Sequence, residues 1–336
     1  MVRSLSHFLD ERHRAGTVPP QVASLIERVA GACSEIAAAV RYGAITGTMG
    51  SLDRENVQGE VQKQLDVIAN DIMLQATATG GELQALASEE MDTIHAVPDH
   101  AARGDYLLVF DPIDGSSNID VNGVVGTIFS VLKAPDLGGI EVGEADFFQP
   151  GAAQVAAGYA IYGPQTLLVL TLGAGVQIFA FEGARRQWVL IEPRVSIPTT
   201  TREYAINTAH HRFWHPPVAR YVSELVAGES GPRQANFNMR WMASMVGDVH
   251  RILTRGGVFL YPADTRQNMA AGKLRLLYEA NPMALIIEQA GGLATTGTQR
   301  ILDVPPQALH QRVPVILGSA HEVTFISHYH RTHDAG

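Results

Sequence analysis

The sequence predicts an α/β (α+β) protein built in two parts, and three observations carry that prediction. Apolar runs of strand length alternate with segments of helical period in both halves of the chain. The 336 residues suggest two domains or one large one, with ordinary globular proportions of 46% apolar and 18% charged residues. No continuous span of about 20 apolar residues exists. The stretch Gly158 to Phe181, rich in apolar residues, is broken by Gly163, Pro164, Gly173 and Gly175.

Taken in order, residues 21–42 place Val22, Leu25, Ile26, Val29, Ile36 and Val40 at helical spacing. Thr46 to Gly59 is polar and glycine-containing, which predicts a loop. Gln64–Thr77 reads as a second helix, and Leu83–Ser88 is an apolar segment leading into Glu89 and Glu90. Tyr106–Phe110 and Thr127–Leu132 read as strands. Val155–Tyr162, Thr166–Leu172 and Gly175–Phe181 add three more, the last two joined by a glycine turn. The polar stretch Glu192 to Arg202 contains Pro193 and Pro198 and predicts a boundary between domains 1–195 and 196–336. Beyond it come a strand at Glu203–Asn207, helices at Val218–Val226 and Met242–Thr254, and a strand at Val258–Tyr261. A helix at Pro282–Gln289 stops at Gly291-Gly292, and Val313–Leu317 is a late strand. The histidine-bearing tail His328–His333 reads as a frayed, solvated terminus in preference to a metal site.

The net charge of −9, with no run of Lys or Arg, argues against a nucleic-acid partner. The single cysteine, Cys33, excludes an internal disulfide and a thiolate zinc site. The first residues lack the apolar region of a signal peptide, so a cytoplasmic protein with no membrane partner is expected.

The chemistry concentrates in Asp111-Pro112-Ile113-Asp114-Gly115-Ser116-Ser117-Asn118-Ile119-Asp120, directly after the strand Tyr106–Phe110. Pro112 predicts a sharp turn there, and Gly115 allows close backbone approach to a ligand. Asp111 and Asp114 would converge on a hard divalent cation, with the N–H groups of Gly115, Ser116 and Ser117 facing an anion beside it. A cation next to such donors suits a phosphoryl group. Further acids stand where chemistry is plausible. Glu89 and Glu90 are adjacent, Asp66 interrupts an apolar helix face, and Glu60 lies in the loop. Glu279 ends a strand-like run, Leu276-Leu277-Tyr278, much as Asp111 does. Taken singly, each acid reads as a solvated corner or a helix cap. No Gly-x-Gly-x-x-Gly, P-loop, His-Glu-x-x-His or Gly-x-Ser-x-Gly pattern is present.

Further segments complete the picture: Gln64-Leu65-Asp66-Val67, Ser88-Glu89-Glu90, Val125-Gly126-Thr127-Ile128-Phe129 and Ala156–Gly163. Ser244-Met245-Val246-Gly247-Asp248-Val249-His250-Arg251 and Gly272–Met283 follow. Together with the Asp-rich decapeptide they resemble the class I fructose-1,6-bisphosphatases, within the metal-dependent, lithium-sensitive sugar phosphatase superfamily, over nearly the whole chain. Asp-Pro-Ile-Asp-Gly is shared with inositol monophosphatases, whereas Lys273-Leu274-Arg275-Leu276-Leu277-Tyr278-Glu279 is particular to the bisphosphatases.

The resemblance implies a layered α-β-α-β-α sugar phosphatase fold. It also implies Mg²⁺-dependent hydrolysis of the 1-phosphate of fructose 1,6-bisphosphate, in gluconeogenesis or the Calvin cycle. Two to three Mg²⁺ per subunit are implied, with Mn²⁺ as a substitute. One metal falls to Asp111, Asp114 and Glu279, and a second to Glu89, Asp111 and the Ile113 carbonyl. A third, looser one falls near Glu89 and Glu60, where the family carries Asp. Glu90 and Asp66 would take the proton of the attacking water. Asp114, Gly115, Ser116 and Ser117 would flank the 1-phosphate. Asn207, Tyr261 and Lys273 would hold the 6-phosphate, joined by Arg240 from a neighbouring subunit of a homotetramer or dimer. His210 and Trp241 replace two family tyrosines. Lys273 and Arg275, without the resemblance, read equally well as a solvated strand edge. Two alternatives remain: a dual enzyme that also cleaves sedoheptulose 1,7-bisphosphate, and a non-catalytic sugar-phosphate sensor, which retention of the acids opposes.

The family's AMP site is eroded. Its expected Gly-Thr-Gly-Glu-Leu-Thr run reads Gly16-Thr17-Val18-Pro19-Pro20-Gln21, so two amide donors are lost. A Lys-Tyr pair reads Asp105-Tyr106, and an expected Arg is Lys133. Weak or absent AMP inhibition follows.

Overall fold

The computed structural model describes residues 3–48, 51–55, 61–136 and 141–334. Helices α1 (Leu5–Arg14) and α2 (Pro20–Thr46) open the chain. The Ser4 hydroxyl caps α1, and α2 begins at a proline, where a missing N–H is harmless. An antiparallel pair, β1 (Ser51–Glu55) and β2 (Val61–Lys63), precedes α3 (Gln64–Thr77).

The next strands are β3 (Leu83–Ser88), β4 (His95–Ala96), β5 (Tyr106–Asp114), β6 (Val125–Lys133), β7 (Ala156–Tyr162), β8 (Thr166–Thr171), β9 (Val176–Glu182) and β10 (Gln187–Glu192). Among the described residues they make an eight-stranded sheet ordered β10-β9-β8-β7-β6-β5-β3-β4. Neighbours run antiparallel except β3 and β5, which are parallel.

The second half contributes β11 (Glu203–Ala205), α4 (Pro216–Val226), β12 (Asn238–Met239), α5 (Met245–Arg255) and β13 (Val258–Tyr261). Then come β14 (Leu274–Arg275), α6 (Asn281–Gln289), β15 (Leu293–Thr295), β16 (Arg312–Val313), β17 (Val315–Gly318) and α7 (Ala320–Asp334). A five-stranded sheet forms in the order β12-β11-β13-β17-β15.

Side-chain alternation along the strands stacks these elements into five layers. Phe110, Phe129 and Leu168 of the large sheet pack with Phe8, Leu25, Val29 and Met73 of α1–α3. The opposite face, with Ile128, Tyr159 and Val169, meets Val249, Ile252, Met283 and Ile286 of α5 and α6. These helices also meet Phe259, Val315 and Leu317 of the second sheet. Val258, Leu260 and Ile316, one residue out of step, point the other way onto Tyr221 of α4 and Ile326 of α7. The expected α-β-α-β-α layering is therefore present. Cys33 lies in the first core, where burial pushes its thiol up to about 12.

Four sequence expectations need correction. The segment expected as a loop contains β1, although residues 49–50 and 56–60 lie outside the described residues. The expected frayed tail is the end of α7, anchored by buried Val323, Ile326 and Tyr329. The run Leu276-Leu277-Tyr278, read as strand-like, is one turn of π-helix spanning Leu276–Ala280. The sharp turn expected at Pro112 falls at Gly115, because β5 continues to Asp114.

Candidate active site

The Asp-rich segment owes its geometry to a one-residue irregularity in β5. Asp111 pairs with Ile128 of β6, whereas Asp114 pairs with Gly126, so three steps along β5 match two along β6. In a regular strand, residues i and i+3 face opposite sides; the extra residue turns both carboxylates to one side. Gly115 then turns the chain at φ +78°. A Cβ there would lie 2.7 Å from Ser244 Cβ, so both conformation and space require glycine.

Glu89 reaches the same place from β3. Its N–H donates to the Phe110 carbonyl at 3.0 Å, continuing the parallel β3–β5 ladder to the end where Asp111 begins. Carboxyl ends of adjacent parallel strands form a natural crevice. Glu279 arrives from the π-turn, and its Oε2 accepts the Arg275 N–H at 2.6 Å. Ligand oxygens of Asp111, Asp114 and Glu279 lie within 4.8 Å of one another, all three side chains buried.

Such crowding is electrostatically costly. Burial raises the Asp111 pKa well above its ordinary value, and the charges of Glu89, Glu279 and Asp114 add to the rise. Burial moves Asp114 up to about 6, against hydrogen bonds from Val246 N–H (2.8 Å) and Ser244 Oγ (2.9 Å). Burial moves Glu279 up to about 8. An all-oxygen, anionic, buried donor set is what a hard divalent cation such as Mg²⁺ or Mn²⁺ requires, so the residues present fit the expected metal.

These acids open into a cavity of about 270 Å³. Glu90, Asp66, Ile113, Gly115, Ser116, Ser117, Asn207, Trp241, Tyr261 and Lys273 line it as well. Asp66 also accepts the Lys63 N–H at 2.9 Å as the third residue of α3, so its helix-capping reading and its position in the site hold together. Trp241 lies nearly parallel to Phe259, with ring centroids 5.8 Å apart.

Two expected residues do not line this cavity. His210 sits on a 3₁₀ turn with its Nδ1 3.1 Å from Arg266 Nη2. Arg240 is exposed beside β12, its N–H donating to the Tyr204 carbonyl. Glu60 lies outside the described residues.

The structure adds residues that received no role from the sequence. Arg275 is buried, not a solvated edge, and its Nη2 lies 2.6 Å from Glu89 Oε1. Ser244 follows Ala243, which sits at φ +57° on the cavity wall. Asn118 Nδ2 donates to the Met242 carbonyl at 3.1 Å, tying that wall to the Asp-rich turn. Asp248 accepts the Met242 N–H at 3.1 Å, and burial lifts its pKa to about 7. Serine before a helix is a readable capping signal, but the Arg275–Glu89 and Asn118–Met242 contacts each cross more than a hundred residues, and Ala243 depends on a single unusual φ.

Residues 4–193 match the family model described as fructose-1-6-bisphosphatase, N-terminal domain, and residues 197–331 match the C-terminal domain model. A solved structure of Leishmania major fructose-1,6-bisphosphatase in holo form superposes with a TM-score of 0.92 at 35% identity, covering 98% of this chain and 99% of that one. The chain therefore belongs to the fructose-1,6-bisphosphatase family, as an enzyme of the metal-dependent phosphatase type.

Proposed function

We propose that the cavity hydrolyses the 1-phosphate of fructose 1,6-bisphosphate, giving fructose 6-phosphate and phosphate. The observation that carries this reading is the buried trio Asp111, Asp114 and Glu279, set in a cavity that also presents Lys273 and the Gly115–Ser117 turn. Asp111, Asp114 and Glu279 would hold one Mg²⁺, and Glu89, Asp111 and the Ile113 carbonyl a second. When bound, the ions neutralise phosphate charge and make water more acidic.

Glu90 takes the proton of the attacking water, with Asp66 as relay. The N–H groups of Gly115 and Ser116 hold phosphoryl oxygens as charge shifts onto them, with Ser117 beside them. Lys273 supplies a charge-assisted bond to the 6-phosphate, and Asn207 and Tyr261 orient it. Trp241 donates one N–H where the family's tyrosine both donates and accepts. Arg240, exposed and absent from its own cavity wall, completes the 6-phosphate pocket of a second copy in a homotetramer. Domains 1–195 and 196–336 would contribute the metal trio's aspartates and the 6-phosphate pocket respectively. The protein is assigned to the cytoplasm; no helix among the described residues is long and apolar enough to cross a membrane.

The test is Mg²⁺-dependent phosphate release from fructose 1,6-bisphosphate, sedoheptulose 1,7-bisphosphate and inositol 1-phosphate side by side. Release from the first and none from the inositol ester is expected, and the second measures how broad the pocket is. No release from either bisphosphate would reject the assignment.

A further inference from the structure

A second cavity, of about 390 Å³, lies between α1, the β8–β9 turn, residues 193–195 and the end of α6. It shares no residue with the catalytic cavity, and a smaller cavity that shares Arg12, Ala174 and Gln177 with it reaches Thr17 and Val18 of the eroded segment. Its charged lining is wholly cationic: Arg12 and Arg194, with Gln177 and Gln289 beside them.

The acids next to these arginines in sequence already have partners. Glu11 pairs with Arg3 and His7. Glu192 accepts the backbone N–H of Arg194 at 3.1 Å. Among the described residues, neither the Arg12 nor the Arg194 guanidinium forms an ion pair. Arg12 is half-buried and its guanidinium packs over the Phe8 ring at 5.1 Å, which limits its freedom, whereas Arg194 is exposed. Gln289 spends its Oε1 on the Gly175 N–H at 2.9 Å, which leaves its amide NH₂ as the donor. A partly desolvated cation without a counter-charge is unfavourable, and a planar fork of N–H groups suits a carboxylate or phosphate.

We infer that this cavity is a binding site for a small dianion carrying phosphate or carboxylate groups, held by Arg12, Arg194 and the Gln289 amide. In a protein of net charge −9 this local excess of cations sets the pocket apart.

The experiment is calorimetric titration of the full-length protein, without added metal, with phosphonoacetate, which carries both anionic groups and no hydrolysable ester. The wild type should bind saturably, and Arg12→Ala and Arg194→Ala should each weaken binding by about tenfold, the loss of one charge-assisted contact. Thermal unfolding of each variant shows that the fold is intact. Lys273→Ala should bind as the wild type does. No saturable binding to the wild type would overturn the inference. So would wild-type affinity in Arg12→Ala or in Arg194→Ala, or loss of binding in Lys273→Ala alone, which would place the anion in the catalytic cavity.

Discussion

Arg275 Nη2 and Glu89 Oε1 stand 2.6 Å apart with both side chains buried, so an internal cation faces the carboxylates that the metal reading assigns to ions. Glu279 also lies 3.9 Å from Arg275 Nη1. Removing one partner of a buried pair strands the other, at about 3–5 kcal/mol. Arg275→Leu should therefore lower the midpoint of thermal unfolding in metal-free buffer, and Mg²⁺ should raise it more in the variant than in the wild type. Equal Mg²⁺-induced gains would show that Arg275 does not balance the acid cluster.

Asp114→Asn keeps the shape of the side chain and its contacts with Ser244 while removing its charge. It should cut kcat by at least about a hundredfold, as loss of a key electrostatic group does. Unfolding measured by circular dichroism should show an intact fold. Substantial turnover at saturating Mg²⁺ would sink the assignment of the trio.

Burial raises Asp114 from 3.8 to about 6 and Glu279 from 4.5 to about 8, so in this pH range the folded state binds more protons than the unfolded chain. Stability of the metal-free protein should then be greatest below the unfolded values and fall as pH rises through 6 towards 8. A cation needs the ionised forms, so Mg²⁺ should bind with proton release and more tightly at higher pH. Unfolding midpoints across pH, with and without Mg²⁺, check both signs; a metal-free midpoint that climbs over this interval would contradict them.

AMP should inhibit weakly or not at all. Pro19 and Pro20 open α2 without a side-chain cap, and Lys133 Nζ is paired with Asp105 at 3.3 Å, so that cation is already neutralised. Half-maximal inhibition by micromolar AMP would refute this.

Arg240→Ala should raise KM more than it lowers kcat, because the 6-phosphate is remote from the bond broken. A fall in kcat alone would remove Arg240 from substrate anchoring.

Legibility in the sequence followed the range of the contacts. Tyr106–Phe110 could be read as a strand because burial on both faces demands an unbroken apolar run. The irregularity that aligns Asp111 with Asp114 could not, since it exists only in the register with β6. Leu276, Leu277 and Tyr278 are buried on every side, so their pattern lacks the period that separates strand from helix. α7 escaped notice because its apolar residues are sparse among histidines, although Val323, Ile326 and Tyr329 follow a helical face. Arg275 looked like an edge residue because its partner, Glu89, is nearly two hundred positions away in the chain.

The π-turn at Leu276–Ala280 runs directly into α6 at Asn281, so the two share one continuous axis with an extra residue wound into its start. A π-turn carries one residue more than the α-helix beside it. Loss of a single residue from this stretch would let the wide turn relax into ordinary helix, swinging Glu279 by about 100° around the axis. A deletion of one codon here would thus leave the composition, the layers and the apolar core almost untouched while pointing one carboxylate away from its two companions. Chain length, more than residue identity, is the property that this short segment holds fixed.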